Sequence, residues 1–537
     1  MTFRRLDQLE SHDLLRERAA AMARPENHLK ALIDDPDRLT QFSAGACRLF
    51  LDYSRQRLDA STRTLLLGVA SELDLLSRFG QMCDGATLNI TEDRAVLHTA
   101  ARSFESAPIL LNGENVLDAI RRVRGEIKQF SEQVHSGSIT GSTGRRFRHV
   151  VVVGIGGSYL GTEFVSTALA AKADKGIALH YLSNVDIHNF EAIARAIDPP
   201  STLWIIISKS FTTAETMANA NQAEQFIRGL GLDTSRHMVT VTAKGSPGDD
   251  AARPVLHAFH MFDFIGGRYS VSSAVGGVPL SLNLGYDRFE AFLKGAAEMD
   301  RHTRTAPAHQ NLPLLAALIS VWNTTYLGYP QQAIIPYAAP LAKLAPHVQQ
   351  LNMESNGKAV DIAGQPLPRP AGVTIFGEPG TNAQHSFFQL AHQGNPFPID
   401  FIGVKTPQYP PNNTLSKGVT NHQELWANMV AQAKALAVGE DHAEPFRRFT
   451  GNRPSSTIVL DDLCPANIGR LLSFYEARTV FEGFIWGINS FDQFGVQLGK
   501  TLAGDLRSAI AGRNQDSTKG FDQVDPISRA YLEMLFS

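Results

Sequence analysis

Short unbroken apolar runs alternate with helix-length stretches over most of this 537-residue chain. Val150, Val151, Val152 and Val153 form one such run, and others occupy 177–182, 203–207 and 238–241. Runs of this length without a polar interruption predict strands buried on both faces. Between them lie stretches of helical length at 162–171, 187–197 and 214–227. Strand, helix, strand at this rhythm predicts a parallel sheet with covering helices. The rhythm returns with candidate strands at 333–337, 373–376, 399–404 and 457–460, and with helices at 423–438 and 466–484. Residues 1–115 instead read as helical, with Leu65, Leu66, Leu67, Leu73, Leu75 and Leu76 at mostly helical spacing, and a Gly/Ser/Thr-rich loop at 136–144 precedes the first strand. The pattern predicts an α/β protein with two doubly wound parallel sheets divided near Gly285. Its expected parts are an N-terminal helical segment (1–115) packing on the larger domain, a first, smaller domain (116–285), a second, larger domain (286–510) and a C-terminal tail (511–537). A polar connector at 513–520 and a short helix at 526–535 would make up most of that tail.

Composition narrows the function. Hydrophobic residues make up 43% of the chain and charged residues 19%, enough for a large core and incompatible with a disordered chain. Fifty Lys and Arg against 53 Asp and Glu leave a net charge of −3. Without a global basic field, neither nucleic acid nor an anionic membrane is an expected partner, and any anion must be held by a local site. Cys47, Cys83 and Cys464 stand far apart, which excludes a disulfide framework and a cysteine-rich zinc site and suits a reducing cytosol. Acidic residues interrupt the first ten positions where a signal peptide needs its apolar stretch. The apolar stretch at 312–322 is too short to span a bilayer and reads as a core helix. The expectation is a cytoplasmic protein. His257 and His260 lie three apart with no third ligand nearby, so no metal is expected.

Several local patterns carry chemistry. Gly154-Ile155-Gly156-Gly157-Ser158 follows a strand and opens a helix. Tyr159 occupies the last position of a Gly-x-Gly-x-x-Gly fingerprint, and Leu160 the last position of a Gly-x-Ser-x-Gly elbow, so both motifs fail. What remains is a tight turn or an anion site at a helix start, and the turn alone leaves both open. Ser208-Lys209-Ser210-Phe211-Thr212-Thr213 puts four hydroxyls and one cation at the carboxyl end of a buried strand, where ligands of open parallel sheets bind. A capping box, with Thr212 as N-cap and Glu215 three residues on, would use only Thr212. The density of the cluster favours phosphate binding.

Gln350 and Glu354 share one helical face, and Glu354 and Lys358 are also four apart. The pattern fits a solvated ion pair or, if Glu354 is partly desolvated, a general base. Gly377 to His385 forms a second glycine-rich turn after a strand, ending in a histidine suited to acid–base work. Gly266-Gly267-Arg268 offers a guanidinium that could face an oxyanion or anchor a turn. The stretch 491–501 is no P-loop, because Gly495 and Gly499 enclose three residues rather than four. Lys500 there reads as a surface helix lysine.

Taken together, the motifs resemble the phosphoglucose isomerase family, built from two sugar-isomerase (SIS) domains. The matching stretches are 154–161, 208–216, 266–276, 349–358, 377–394 and 491–500, in the family's order. Gly-Glu-Pro-Gly-Thr-Asn-Ala-Gln-His and Met-Glu-Ser-Asn-Gly-Lys are the most specific. The resemblance implies two SIS domains, the first binding phosphate. It also implies reversible conversion of D-glucose 6-phosphate to D-fructose 6-phosphate through ring opening and a cis-enediolate, a step of glycolysis and gluconeogenesis, with no cofactor. It assigns phosphate binding to Ser158, Ser208, Lys209, Ser210 and Thr213 and further substrate contacts to Gly157, Gln350 and Gln493. Glu354 matches the base, Arg268 the enediolate stabiliser, and His385 and Lys500 the ring-opening groups. The residue matching His385 comes from the neighbouring subunit, which implies a homodimer. One departure stands out: Gln497 replaces the glutamate of the family's Gly-Val-Glu-x-x-Lys.

Overall fold

In the computed structural model, which describes residues 4–410 and 418–537, the runs of the first half become parallel strands. Their bounds are His149–Val153, Ala178–Leu182, Thr202–Ile207 and Met238–Ala243. Val150 and Val152 face one core with Leu203, Ile205 and Ile207, while Val151 and Val153 face another with Trp204 and Ile206. Helices cover both faces, so the period-two alternation of a strand is masked by apolar residues on each side. A fifth strand, His257–Met261, pairs parallel with Met238–Ala243. Numbered along the chain, these five strands stand in the order 2-1-3-4-5. The strand direction of travel therefore reverses between His149–Val153 and Thr202–Ile207, which are neighbours. Such a switch point opens a crevice at the carboxyl ends of the strands.

The second sheet has six strands. Gln331–Pro336, Thr374–Phe376, Ile399–Val404 and Ser455–Leu460 pair in parallel. The remaining two come from the N-terminal segment. Ser43–Ala46 and Leu49–Asp52 form a hairpin whose second strand adds antiparallel to Ser455–Leu460. That segment is therefore not purely helical, although Glu10–Ala21, Ala60–Glu72 and Leu75–Cys83 are helices. The hairpin escapes sequence reading because its two-residue turn is Cys47-Arg48, both at positive φ, where Asn-Gly or Asp-Gly is the usual signature.

Helix Pro465–Trp486 is buried along nearly its whole length and packs against Tyr286–Thr305, Leu312–Val321 and Leu344–Asn356. Its polar residues are correspondingly paired. Glu476 bonds the fully buried Arg102, and Arg478 bonds Asp400 and Glu482. The chain forms two compact units, Met1–Ser490 and Phe491–Ser537. Within the second, helix Gln497–Gln515 extends past the expected start of the polar connector, and a final helix spans Pro526–Leu535. Residues 1–3 of the opening stretch lie outside the described residues. Among the described residues, no helix is long and apolar enough to cross a membrane, and no cluster of three or more His, Cys, Asp or Glu could hold a metal ion. His257 and His260 lie on the edge strand instead, His260 Nε2 standing 3.0 Å from Asp249 Oδ1.

Candidate active site

Three turns and one helix build the site, each following a strand of one of the two sheets. The first follows His149–Val153 and tightens into Gly156–Ser158 before helix Leu160–Ala168. It lies against the neighbouring strand: a Cβ on Gly154 would stand 3.3 Å from the Ile207 carbonyl oxygen and 2.8 Å from Ser158 Cβ. The second turn follows Thr202–Ile207 and carries Ser208 to Thr213. Ser208 Oγ accepts from the Phe211 N–H at 3.1 Å, and Ser210 and Thr212 share a hydroxyl–hydroxyl bond of 2.6 Å. The Lys209 ammonium donates to the Asp263 carbonyl at 3.0 Å and lies 3.2 Å from its carboxylate. Burial pushes the Lys209 ammonium below its usual range, and Asp263 opposes that shift.

The capping expectation is corrected here. Thr213, not Thr212, is the N-cap of helix Ala214–Gly229, and its side chain makes no cap hydrogen bond. The hydroxyls of the cluster are therefore not spent on starting the helix, whose first N–H groups remain a focus for an anion.

Arg268 lies in the third turn, Gly267–Tyr269, which follows the edge strand His257–Met261. Its Nε donates to Ser355 Oγ at 2.7 Å and its Nη2 to the Ser490 carbonyl at 2.7 Å. The Tyr269 hydroxyl shares Ser355 Oγ at 3.0 Å, and burial pushes this phenol up to about 12.

The fourth element is helix Leu344–Asn356, which follows strand Gln331–Pro336 of the second sheet. Gln350 Nε2 donates to Glu354 Oε2 at 2.8 Å, as their spacing predicts, and Arg268 Nη1 stands 3.6 Å from Glu354 Oε1. The Arg268 side chain is 2% exposed and that of Glu354 20%. Glu354 is thus neither a solvated surface carboxylate nor sealed from a ligand.

Glycines let these turns meet. A Cβ on Gly156 would sit 2.9 Å from Gln350 Nε2. One on Gly157 would sit 2.2 Å from the Gly267 carbonyl carbon and 2.6 Å from the Arg268 nitrogen, both backbone atoms. Gly157 therefore does more than line the site, because its missing side chain lets the Arg268 turn close on the first turn. Gly157→Ala is expected to lower kcat by about a hundredfold, since the Arg268 turn must shift by an ångström or so. Steady-state kinetics on the variant check this.

The structure thus brings Gly157, Ser158, Arg268, Gln350 and Glu354 together, with Ser208, Lys209, Ser210 and Thr213 at the adjoining switch point. His385 is the exposed last residue of the turn Asn382–His385 and makes no hydrogen bond to these groups among the described residues. Lys500 lies exposed near the start of helix Gln497–Gln515, and Gln493 precedes the turn Phe494–Val496, both within the second compact unit. Sequence reading passed over Ser355, Tyr269 and Ser490, which hold the guanidinium. Ser355 directly follows Glu354 and Tyr269 directly follows Arg268, and this adjacency is the signal the sequence offers.

Two sheets of this topology, with the site at their junction, define an α/β protein of the sugar-isomerase class. The phosphoglucose isomerase family model matches residues 52–525, and the chain belongs to that family. It is 63% identical over 535 residues to glucose-6-phosphate isomerase of Desulfosudis oleivorans, covering 99% of this chain and 98% of that protein. It is 45% identical over 531 residues to the cytosolic glucose-6-phosphate isomerase of Spinacia oleracea, covering 95% of this chain and 93% of that one. The crystal structure of a glucose-6-phosphate isomerase from Chlamydia trachomatis superposes with a TM-score of 0.89 at 36% identity, covering 99% of both chains.

Proposed function

We propose that this protein interconverts D-glucose 6-phosphate and D-fructose 6-phosphate by moving a proton between C1 and C2 of the open-chain sugar. The observation that carries the reading is the partly exposed Glu354 carboxylate, held by Gln350 and facing the buried Arg268 guanidinium beside a hydroxyl-lined switch point. The phosphate binds remotely among Ser158, Ser208, Lys209, Ser210 and Thr213, and its binding energy orients the reacting carbons. Glu354 removes the C2 proton, made acidic by the C1 aldehyde. Charge moves onto the enediolate oxygens, where Arg268 stabilises it. Return of the proton to C1, with transfer of the hydroxyl proton from O2 to O1, gives the ketose with no change in composition.

Opening the sugar ring needs a group to protonate the ring oxygen and one to take the proton of the anomeric hydroxyl. Family resemblance assigns these roles to His385 and Lys500, and a substrate contact to Gln493. His385 is exposed on its turn, which suits a histidine lent to the site of a second copy, so the working form is a homodimer. The relatives named cytosolic support a cytoplasmic location.

Purified protein with fructose 6-phosphate, coupled to glucose-6-phosphate dehydrogenase, tests the activity, and NADPH formation is the expected result. Lys209→Ala adds a second check. The Lys209–Asp263 pair is a rim interaction with Asp263 78% exposed, so a phosphate dianion competes readily for the ammonium. The variant is expected to raise KM by about tenfold and to lower kcat by about threefold, since part of the phosphate's binding energy orients the reacting carbons.

A further inference from the structure

We propose that Asn356 is a positioning residue that fixes Arg268 relative to Glu354, acting through Ser490. The inference rests on the isomerase reading above and assigns a role to residues which that reading does not use.

Asn356 is the fully buried last residue of helix Leu344–Asn356. Its Oδ1 accepts from Ser490 Oγ at 2.7 Å. Its Nδ2 donates to the Thr479 carbonyl at 3.0 Å and to Glu482 Oε2 at 3.2 Å. The Ser490 carbonyl in turn accepts from Arg268 Nη2. One carboxamide thus joins the helix that bears the base, the buried helix Pro465–Trp486, and the segment that receives the guanidinium.

Only an amide fits this place. It must accept from a hydroxyl on one side and donate to a carbonyl and a carboxylate on the other. Aspartate would set a second carboxylate against Glu482, and an apolar residue would take the acceptor from the buried Ser490 hydroxyl and one donor from Glu482.

The anchor behind Asn356 is rigid. Glu482 is fully buried, accepts from Arg478 Nε at 2.9 Å, and accepts from Asn352 Nδ2 at 2.5 Å. Arg478 reaches Asp400 Oδ2 at 2.7 Å and Gln332 Oε1 at 2.5 Å, residues on two strands of the second sheet. Packing enforces the same geometry: a Cβ on Gly483 would stand 1.8 Å from Ser490 Oγ. Ser490 therefore has no room to move towards the buried helix.

Consecutive residues then divide the work. Glu354 faces the substrate, Ser355 holds Arg268 Nε, and Asn356 holds Nη2 at one remove. A donor preorganised in this way stabilises developing charge without reorganising during the reaction.

The test uses full-length Ser490→Ala, Asn356→Ala and the double variant, assayed with fructose 6-phosphate and with inorganic phosphate as competitive inhibitor. Because misplacing a reacting group by about 1 Å costs up to about a hundredfold in rate, Asn356→Ala is expected to lose about a hundredfold in kcat and Ser490→Ala about tenfold. KM and phosphate inhibition should stay within about twofold of wild type, since the phosphate contacts are remote. The double variant should be no slower than Asn356→Ala, because both changes break one chain of contacts. Should Asn356→Ala fail to fold, Ser490→Ala decides alone, since it keeps the carbonyl that Arg268 uses. Wild-type kcat in Ser490→Ala, with only a lower melting temperature, overturns the positioning role. Wild-type protein that makes no glucose 6-phosphate overturns the isomerase reading itself.

Discussion

Glu354→Gln is expected to lower kcat by about a thousandfold or more, within the range that general acid–base groups supply. The carboxamide has nearly the volume of the carboxylate and still bonds Gln350, so the turn and helix around it should keep their shape. Two things are lost. An amide cannot take a proton from C2, and it no longer faces Arg268 with a negative charge at 3.6 Å. Binding of the sugar phosphate depends on the remote hydroxyl cluster, so KM should stay within about threefold. Inhibition by inorganic phosphate should be unchanged, which separates a lost base from a collapsed site. A variant with near-normal kcat removes Glu354 from the reaction.

Arg268→Ala is expected to lower kcat by about a hundred- to a thousandfold, the usual loss when an oxyanion-stabilising donor is removed. Stability should fall as well. The guanidinium side chain is 2% exposed and serves Ser355, Ser490 and Glu354. Its removal leaves the buried Ser490 carbonyl and Ser355 hydroxyl without this donor, a loss of about 1–3 kcal/mol. Urea unfolding reads the stability term and steady-state kinetics the catalytic one. Arg268→Lys restores the charge but lacks a planar fork to reach Ser355 and Ser490 together, so it should recover stability more than turnover. Equal kcat in wild type and Arg268→Ala contradicts the role given to the guanidinium.

Much of the architecture was legible because buried parallel strands announce themselves. The valines at 150–153 and the run Leu203 to Ile207 have apolar neighbours on both faces, which their unbroken apolar character, β-branched residues and short length together predict. Edge and antiparallel strands gave weaker signals. His257–Met261 carries two histidines in five residues and only Phe259 is fully buried, so it lacks the unbroken apolar run that marks the central strands. The hairpin 43–52 was hidden by a turn with neither glycine nor asparagine.

At the site, single turns were legible and their convergence was not. Spacing alone placed Gln350 beside Glu354, since helical periodicity is local. That Arg268 meets Glu354 across 86 residues depends on two glycine contacts and on Ser355 and Ser490, and no periodicity encodes these. The capping residue was misplaced by one position, because Thr212 and Thr213 offer the same chemistry and only backbone geometry chooses between them.

The central claim is that a carboxylate carries a proton between neighbouring carbons, and isotope uptake tests it most directly. Fructose 6-phosphate is converted in D₂O, and the glucose 6-phosphate formed is examined by NMR for deuterium at C2. The account predicts deuterium there with wild-type protein and its disappearance, together with turnover, in Glu354→Gln. Rapid isomerisation that never admits solvent deuterium would mean a hydride shift between the carbons, and would contradict the role given to Glu354.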